Sequence, residues 1–161
     1  MIYGRLIKTI EDHAEELTQG LVKEIKGNKR SSAYEKIDDK ELERGAYAVY
    51  RNLGAWLGEK TEEDIKGYFF ELGEQRFQEE IPLSHVISAQ TITRNHLRRY
   101  IESEGLLGTS LELYQELELL HSSLTVFFDK AIHYTVLGYE TCYQEGRPRG
   151  ISEKTGWILS R

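Results

Sequence analysis

The stretch that decides the fold is LYQELELLHSSLTVFFDKAIHYTVLG, residues 113–138. Within it Leu113, Leu117, Leu120, Leu124, Phe127, Ala131, Tyr134 and Gly138 recur at alternating steps of four and three. That spacing aligns one face of an α-helix. A second stripe runs beside it: Tyr114, His121, Thr125, Phe128, Ile132 and Tyr139. A helix with apolar groups on two faces is buried on two sides. One side is expected to line the domain's own core and the other to meet a second subunit. The helix that carries Leu113, Leu117, Leu120, Leu124, Phe127, Ala131 and Tyr134 is therefore read as a dimerisation helix, with either of its two faces open to the partner.

On its N-terminal side, Ser110 is the expected N-cap, and Gly105 and Gly108 bracket a tight connection. A helix over 83–104 precedes it, with Leu83, Val86, Ile87, Gln90, Leu97 and Ile101 on one face. Pro82 marks the break before it. Thr61, followed by Glu62-Glu63-Asp64, opens a helix running to about Glu80 whose apolar face is Ile65, Tyr68, Phe69, Leu72 and Phe77. Asp38-Asp39 opens another that ends at Gly58 and buries Leu42, Ala46, Val49, Leu53 and Trp56. Gly45 and Gly54 inside it cost about 1 kcal/mol each relative to alanine, with close helix crossing as the expected compensation. Residues 28–37 read as a polar loop. Residues 2–26 read as one helix, with Ile2, Leu6, Ile10, Ala14, Leu17, Leu21 and Ile25 in register and a stop at Gly27-Asn28. Beyond Gln144 the pattern fails: Glu145 to Gly150 is turn-rich, and Trp157-Ile158-Leu159 is either a docking segment or linker. The expectation is an all-α bundle of about five helices with a long C-terminal helix, a domain over 1–144 and a tail over 145–161.

The 161 residues are 39% hydrophobic and 30% charged, with a net charge of −6. This is the size of one domain with one core. The acidic balance argues against nucleic acid and anionic membrane as partners. The small basic clusters Lys26–Lys29–Arg30 and Arg147–Arg149 fall in segments read as loop or tail and are taken as solvated ends. The single cysteine, Cys142, excludes an internal disulfide and a multi-cysteine metal site. No apolar run approaches the roughly 20 residues that span a bilayer, and Met1-Ile2-Tyr3-Gly4-Arg5 does not begin a signal peptide. The expected location is cytoplasmic.

The five histidines are His13, His85, His96, His121 and His133. His85 and His96 share a face of one helix but lie too far apart, at about 1.5 Å rise per residue, to hold one metal. No His-Glu-x-x-His pattern, phosphate-binding glycine loop or nucleophile elbow occurs, so no catalytic residue, cofactor or metal is assigned. The simplest reading of each histidine is a hydrogen-bonded, partly buried side chain. Two sharper readings compete: a haem-binding globin-type sensor with His85 or His96 as axial ligand, and a phosphotransfer bundle using His121 or His133. Neither of the latter two has the flanking residues of known phosphotransfer helices. Trp56, Tyr68, Phe69 and Phe128, with His121, are the residues expected to line any pocket. Their plainer role is core packing.

Two segments carry a resemblance: Tyr68-Phe69-Phe70-Glu71-Leu72-Gly73-Glu74-Gln75-Arg76-Phe77 followed by Ile81-Pro82-Leu83-Ser84-His85-Val86-Ile87-Ser88-Ala89, and Leu113 to Glu140, above all Leu124-Thr125-Val126-Phe127-Phe128-Asp129-Lys130-Ala131. Roughly residues 1–143 resemble the N-terminal sensory domain of RsbR-type stressosome proteins, the RsbT co-antagonist N-terminal domains, relatives of which precede some sensor kinases. The resemblance implies a globin-like fold without haem, a homodimer, and a bacterial stress-signalling input role rather than catalysis. Independently of the resemblance, only Pro82 and its neighbours separate the third and fourth helices, which leaves little room for the element that carries the proximal histidine of a haem globin. No phosphorylatable domain follows residue 144, so output is expected through association with a partner protein, with a small ligand as the input.

Overall fold

The computed structural model describes residues 4–105 and 111–149. These form helices α1 (Gly4–Asp12), α2 (Ala14–Gly27), a 3-10 segment (Lys29–Lys36), α3 (Asp39–Tyr50), α4 (Leu53–Gly58), α5 (Glu62–Gln78), α6 (Leu83–Gly105) and α7 (Leu111–Gln144), with no strand among the described residues. The chain is an all-α bundle, and its last helix is its longest, with 34 residues or about 50 Å of rise. The expected connection over 106–110, the Ser110 cap and the Trp157-Ile158-Leu159 segment lie outside the described residues.

More helices form than the periodicity predicts, because two continuous apolar patterns are broken in the backbone. The expected helix over 2–26 bends at His13, whose N–H is shared between Thr9 O at 3.1 Å and Ile10 O at 3.2 Å. Its ring Nδ1 also lies 2.8 Å from Thr9 O. The expected helix over 38–58 breaks at Arg51-Asn52, where the Asn52 side chain donates to Ala48 O at 3.0 Å and competes with the helical ladder. The expected loop over 28–37 is helical instead. Asn28 accepts from the Arg30 N–H, Ser31 Oγ donates to Ile25 O at 2.6 Å, and Ser31 and Tyr34 are buried. Thr61 caps α5 as expected, in a reciprocal box with Asp64. At the other end Glu80 adopts φ 58°. Glu80 N–H bonds Phe77 O, and Ile81 N–H bonds Arg76 O, which is a Schellman closure built on a non-glycine residue.

α5 and α7 form the centre of the bundle and run in the same general direction. Glu62 meets Lys130 and Tyr134, and Phe77 meets Tyr139 further along both helices. Two glycines let the backbones touch. A Cβ on Gly73 would fall on Thr135 O and 2.8 Å from Tyr139 N, and one on Gly138 would fall on Phe70 O and 2.9 Å from Phe70 C. The crossing was expected at Gly45 and Gly54. Gly45 instead has open space around its Cβ position, and Gly54 N–H donates to a Glu11 carboxylate oxygen at 3.1 Å.

Of the two faces left open for the partner, the stripe that runs through Leu117 to Tyr134 belongs to the core of this chain. Leu120, Leu124, Phe127 and Ala131 are buried, Leu124 being only 1% exposed. Leu117 and Tyr134 pack half-buried against them, and the side chain of Leu113 is not among those described. The reason is geometric: this face of α7 is the one turned to α5, α6 and α4. Of the second stripe, Phe128 and Tyr139 are buried and Tyr114 is exposed. The large apolar groups that α7 turns outward along one face are Leu119, Val126 and Leu137, which neither stripe contained.

Candidate functional site

Helices α2, α3, α5, α6 and α7 do not close fully on one another. They leave a cavity of about 110 Å³. Leu21, Val22 and Ile25 of α2 and Leu42, Ala46, Val49 and Tyr50 of α3 form one wall. Tyr68, Phe69 and Leu72 of α5 and Phe127, Phe128 and Ala131 of α7 form the other. Such walls are mostly hydrocarbon and repel any group that cannot shed its water.

Besides Thr93 and the hydroxyls of Tyr34, Tyr50 and Tyr68, two longer polar side chains interrupt them. Arg76 lines the cavity and is only 9% exposed. It follows Ile65, Phe69 and Leu72 at helical steps, so the apolar face of α5 itself carries it inside. Its Nη1 donates to Glu79 Oε1 at 2.6 Å, and its guanidinium lies 5.3 Å from the Tyr34 ring centroid. The Nε–H of Arg76 is buried with no partner. Burial raises the Glu79 carboxyl above its ordinary range, with Arg76 opposing the shift. Burial likewise raises the Tyr34 hydroxyl. Gln90 enters from α6. Its Nε2 donates to Thr135 Oγ1 at 2.7 Å, which in turn donates to Ala131 O at 2.7 Å. The other end of the amide, Gln90 Oε1, is buried with no partner. Unpaired buried polar atoms cost about 1–3 kcal/mol each and mark places where a hydrogen-bonding group would be welcome.

Of the residues expected around a pocket, Tyr68, Phe69 and Phe128 line this one. Trp56 does not. It stands behind the wall, 5.0 Å from the Tyr68 ring in an edge arrangement and 5.9 Å from Phe69 and Phe127. His121 is not a lining residue either: it shares a face of α7 with Phe128 but lies two turns nearer the start of that helix. Neither Arg76 nor Gln90 was among the residues expected around a pocket, although Gln90 was placed on the apolar face of its helix. The helical phase of Arg76 was the signal that would have found it.

The histidines proposed as haem ligands are placed elsewhere. His85 Nδ1 accepts the Ala33 N–H at 3.2 Å and pins the 3-10 segment to α6. The His96 ring lies against Gly20 of α2. Neither lines the cavity. His133 is exposed on α7, its ring 5.1 Å from that of Tyr134. Among the described residues no group of three His, Cys, Asp or Glu side chains is placed to hold a metal ion, and no helix is long and apolar enough to cross a membrane.

The basic clusters are solvated only in part: Lys29 and Arg30 are exposed, whereas Lys26, Arg147 and Arg149 have partners. Lys26 Nζ bonds Ile37 O and pairs with Asp39, each at 2.5 Å. Arg147 pairs with Glu74 and, at 2.6 Å, with Glu145. Arg149 lies 4.5 Å from the Phe77 ring centroid and donates to the Tyr139 hydroxyl at 3.0 Å. The first residues of the tail thus fold back over α5 and α7.

No protein-family model, curated protein or solved structure matches the chain.

Proposed function

We propose that the chain is a non-enzymatic signal-input domain of the kind it resembles, in which a small ligand in the cavity alters how α7 packs and α7 passes that change to a second copy of the chain. One observation carries this reading: α7 serves two surfaces at once. Its inner face walls the cavity with Phe127, Phe128 and Ala131. Its outer face carries Leu119, Val126 and Leu137, which are 42%, 55% and 37% exposed. A ligand that fits one arrangement of α7 better than another shifts the population between them by its difference in affinity. The homodimer contact in this proposal is the outer face of α7, in place of the buried stripe. The same face is the one available to a signalling partner, in a cytoplasmic stress-response setting.

Sedimentation tests the assembly. The unmodified chain is expected to dimerise, and Val126→Glu to give a monomer with an unchanged unfolding midpoint. Leu124→Glu places a charge in the core and is expected to unfold the chain. A monomer at high concentration, or a Val126→Glu dimer as tight as the parent, overturns the proposal. Native mass spectrometry of freshly purified protein tests the ligand arm, since a retained small molecule would identify the input directly.

A further inference from the structure

We infer that the cavity between α2, α3, α5, α6 and α7 accepts a small uncharged molecule with an apolar body and one hydroxyl group. The inference rests on the cavity being a ligand site and adds what kind of ligand it takes.

Size sets the first limit. An apolar cavity of about 150 Å³ holds a benzene ring, so the 110 Å³ here suits a smaller molecule of about four to six non-hydrogen atoms. Long acyl chains, nucleotides and tetrapyrroles are too large without rebuilding the wall. The wall sets the second limit. Leu42, Val49, Phe69 and Phe127 offer no hydrogen bond, so most of the ligand is hydrocarbon. The unpartnered atoms set the third. Arg76 Nε–H is a donor and Gln90 Oε1 an acceptor. A hydroxyl both accepts and donates, so it suits either atom.

Charge decides between an alcohol and an acid. The Arg76 guanidinium is already paired with Glu79 at 2.6 Å. A carboxylate ligand would place a second anion beside that pair with no further cation among the lining residues, and burial of an uncompensated charge is costly. An ammonium would face Arg76 itself. A plain hydrocarbon fits the wall but leaves both polar atoms unpartnered. A neutral hydroxyl compound is the class that meets all these conditions.

The test uses n-butanol, n-pentane and butyrate as probes on the full chain, all within the size limit, followed by amide chemical shifts and thermal midpoint. Butanol is expected to shift amides of the α3 and α5 wall and to bind about tenfold or more tighter than pentane, the isostere without a hydroxyl. Butyrate is expected not to bind. Gln90→Met, which removes the acceptor, should reduce the advantage of butanol while leaving pentane binding unchanged. Ala131→Leu, which fills the cavity, should block both. Pentane binding as tightly as butanol, or butyrate binding more tightly, overturns the ligand class while leaving a ligand cavity. Binding by none of the three overturns the cavity reading as well.

Discussion

Replacing Gly73 by alanine tests the central packing of the molecule. The new methyl would fall on Thr135 O and 2.8 Å from Tyr139 N. These two atoms form a single rung of the α7 hydrogen-bond ladder, so the methyl meets rigid backbone rather than a side chain that can turn aside. Restoring ordinary contact requires α5 and α7 to separate by on the order of 1 Å, which forfeits roughly a quarter to a half of the dispersion energy along the seam. Overpacking of this kind costs about 1–3 kcal/mol or more. Alanine's advantage over glycine inside a helix returns only about 0.5–1 kcal/mol. The Phe69, Phe77, Phe127 and Tyr139 rings all stack along this seam, which puts the overpacking cost at the upper end and the expected net loss at about 2 kcal/mol. That corresponds to a fall of about 4–8 °C in midpoint for a chain of this size. Gly67 supplies the internal control. It sits on the same helix with nothing within 4 Å of its Cβ position, so Gly67→Ala should raise stability by about 0.5–1 kcal/mol. Urea titrations of the two variants beside the parent give both numbers. If Gly73→Ala proves as stable as the parent, or if the two variants shift in the same direction, the close-crossing argument fails.

Gly138→Ala should repeat the loss seen for Gly73→Ala, because its methyl meets Phe70 backbone atoms. Glu80 holds φ 58° at the end of α5, a conformation that glycine adopts without penalty, so Glu80→Gly should stabilise the chain by about 0.5–1 kcal/mol; a loss on thermal unfolding would count against the Schellman assignment. Tyr139 donates to Ile81 O at 2.7 Å in the interior, and Tyr139→Phe strands that carbonyl, with an expected cost of about 1–3 kcal/mol; a neutral result by urea titration would show that the carbonyl finds another donor. His96 is held below its ordinary 6.5 by burial and by Arg99 of its own helix, against the pull of Glu24 from α2. Protonation is thus easier in the unfolded chain than in the folded one. The stability tied to neutral His96 is present above about pH 6.5 and is lost as pH falls below that value. Midpoints measured from about pH 7 to pH 5 should fall less steeply for His96→Gln than for the parent, and parallel curves would remove His96 from the account.

The long last helix was legible because its four-three pattern continues for many turns and is interrupted by neither glycine nor proline until Gly138. The same rule misled at His13 and at Arg51-Asn52, where the apolar pattern continues but the backbone does not. Side-chain bonds to nearby carbonyls cause the second break, and periodicity does not register them. The 3-10 segment was hidden by its polarity: Ser31 is buried because its hydroxyl bonds Ile25 O, not because it is apolar. The two stripes of α7 were read correctly as apolar, but sequence does not say which neighbour each one meets. Three helices of this chain cover the inner stripe, and that left nothing of it for a partner. Around the cavity the aromatics Tyr68, Phe69 and Phe128 were legible by phase. Arg76 shares that phase, but its charge argued for the surface, since a charged residue inside requires knowing that Glu79 and Tyr34 are there to receive it.

The position of Trp56 has a spectroscopic consequence. Its indole touches Tyr68, Phe69 and Phe127, three rings whose other sides face the cavity, and Lys60 lies 5.1 Å from its ring centroid. The sequence holds one other tryptophan, Trp157. A Trp157→Phe chain therefore carries a single emitter one layer behind the cavity wall, with a cation beside it that makes its emission sensitive to small displacements. Filling the cavity would register as a change in the wavelength or intensity of native fluorescence, so the occupancy of the site is readable in a cuvette without a label and before any output partner is known.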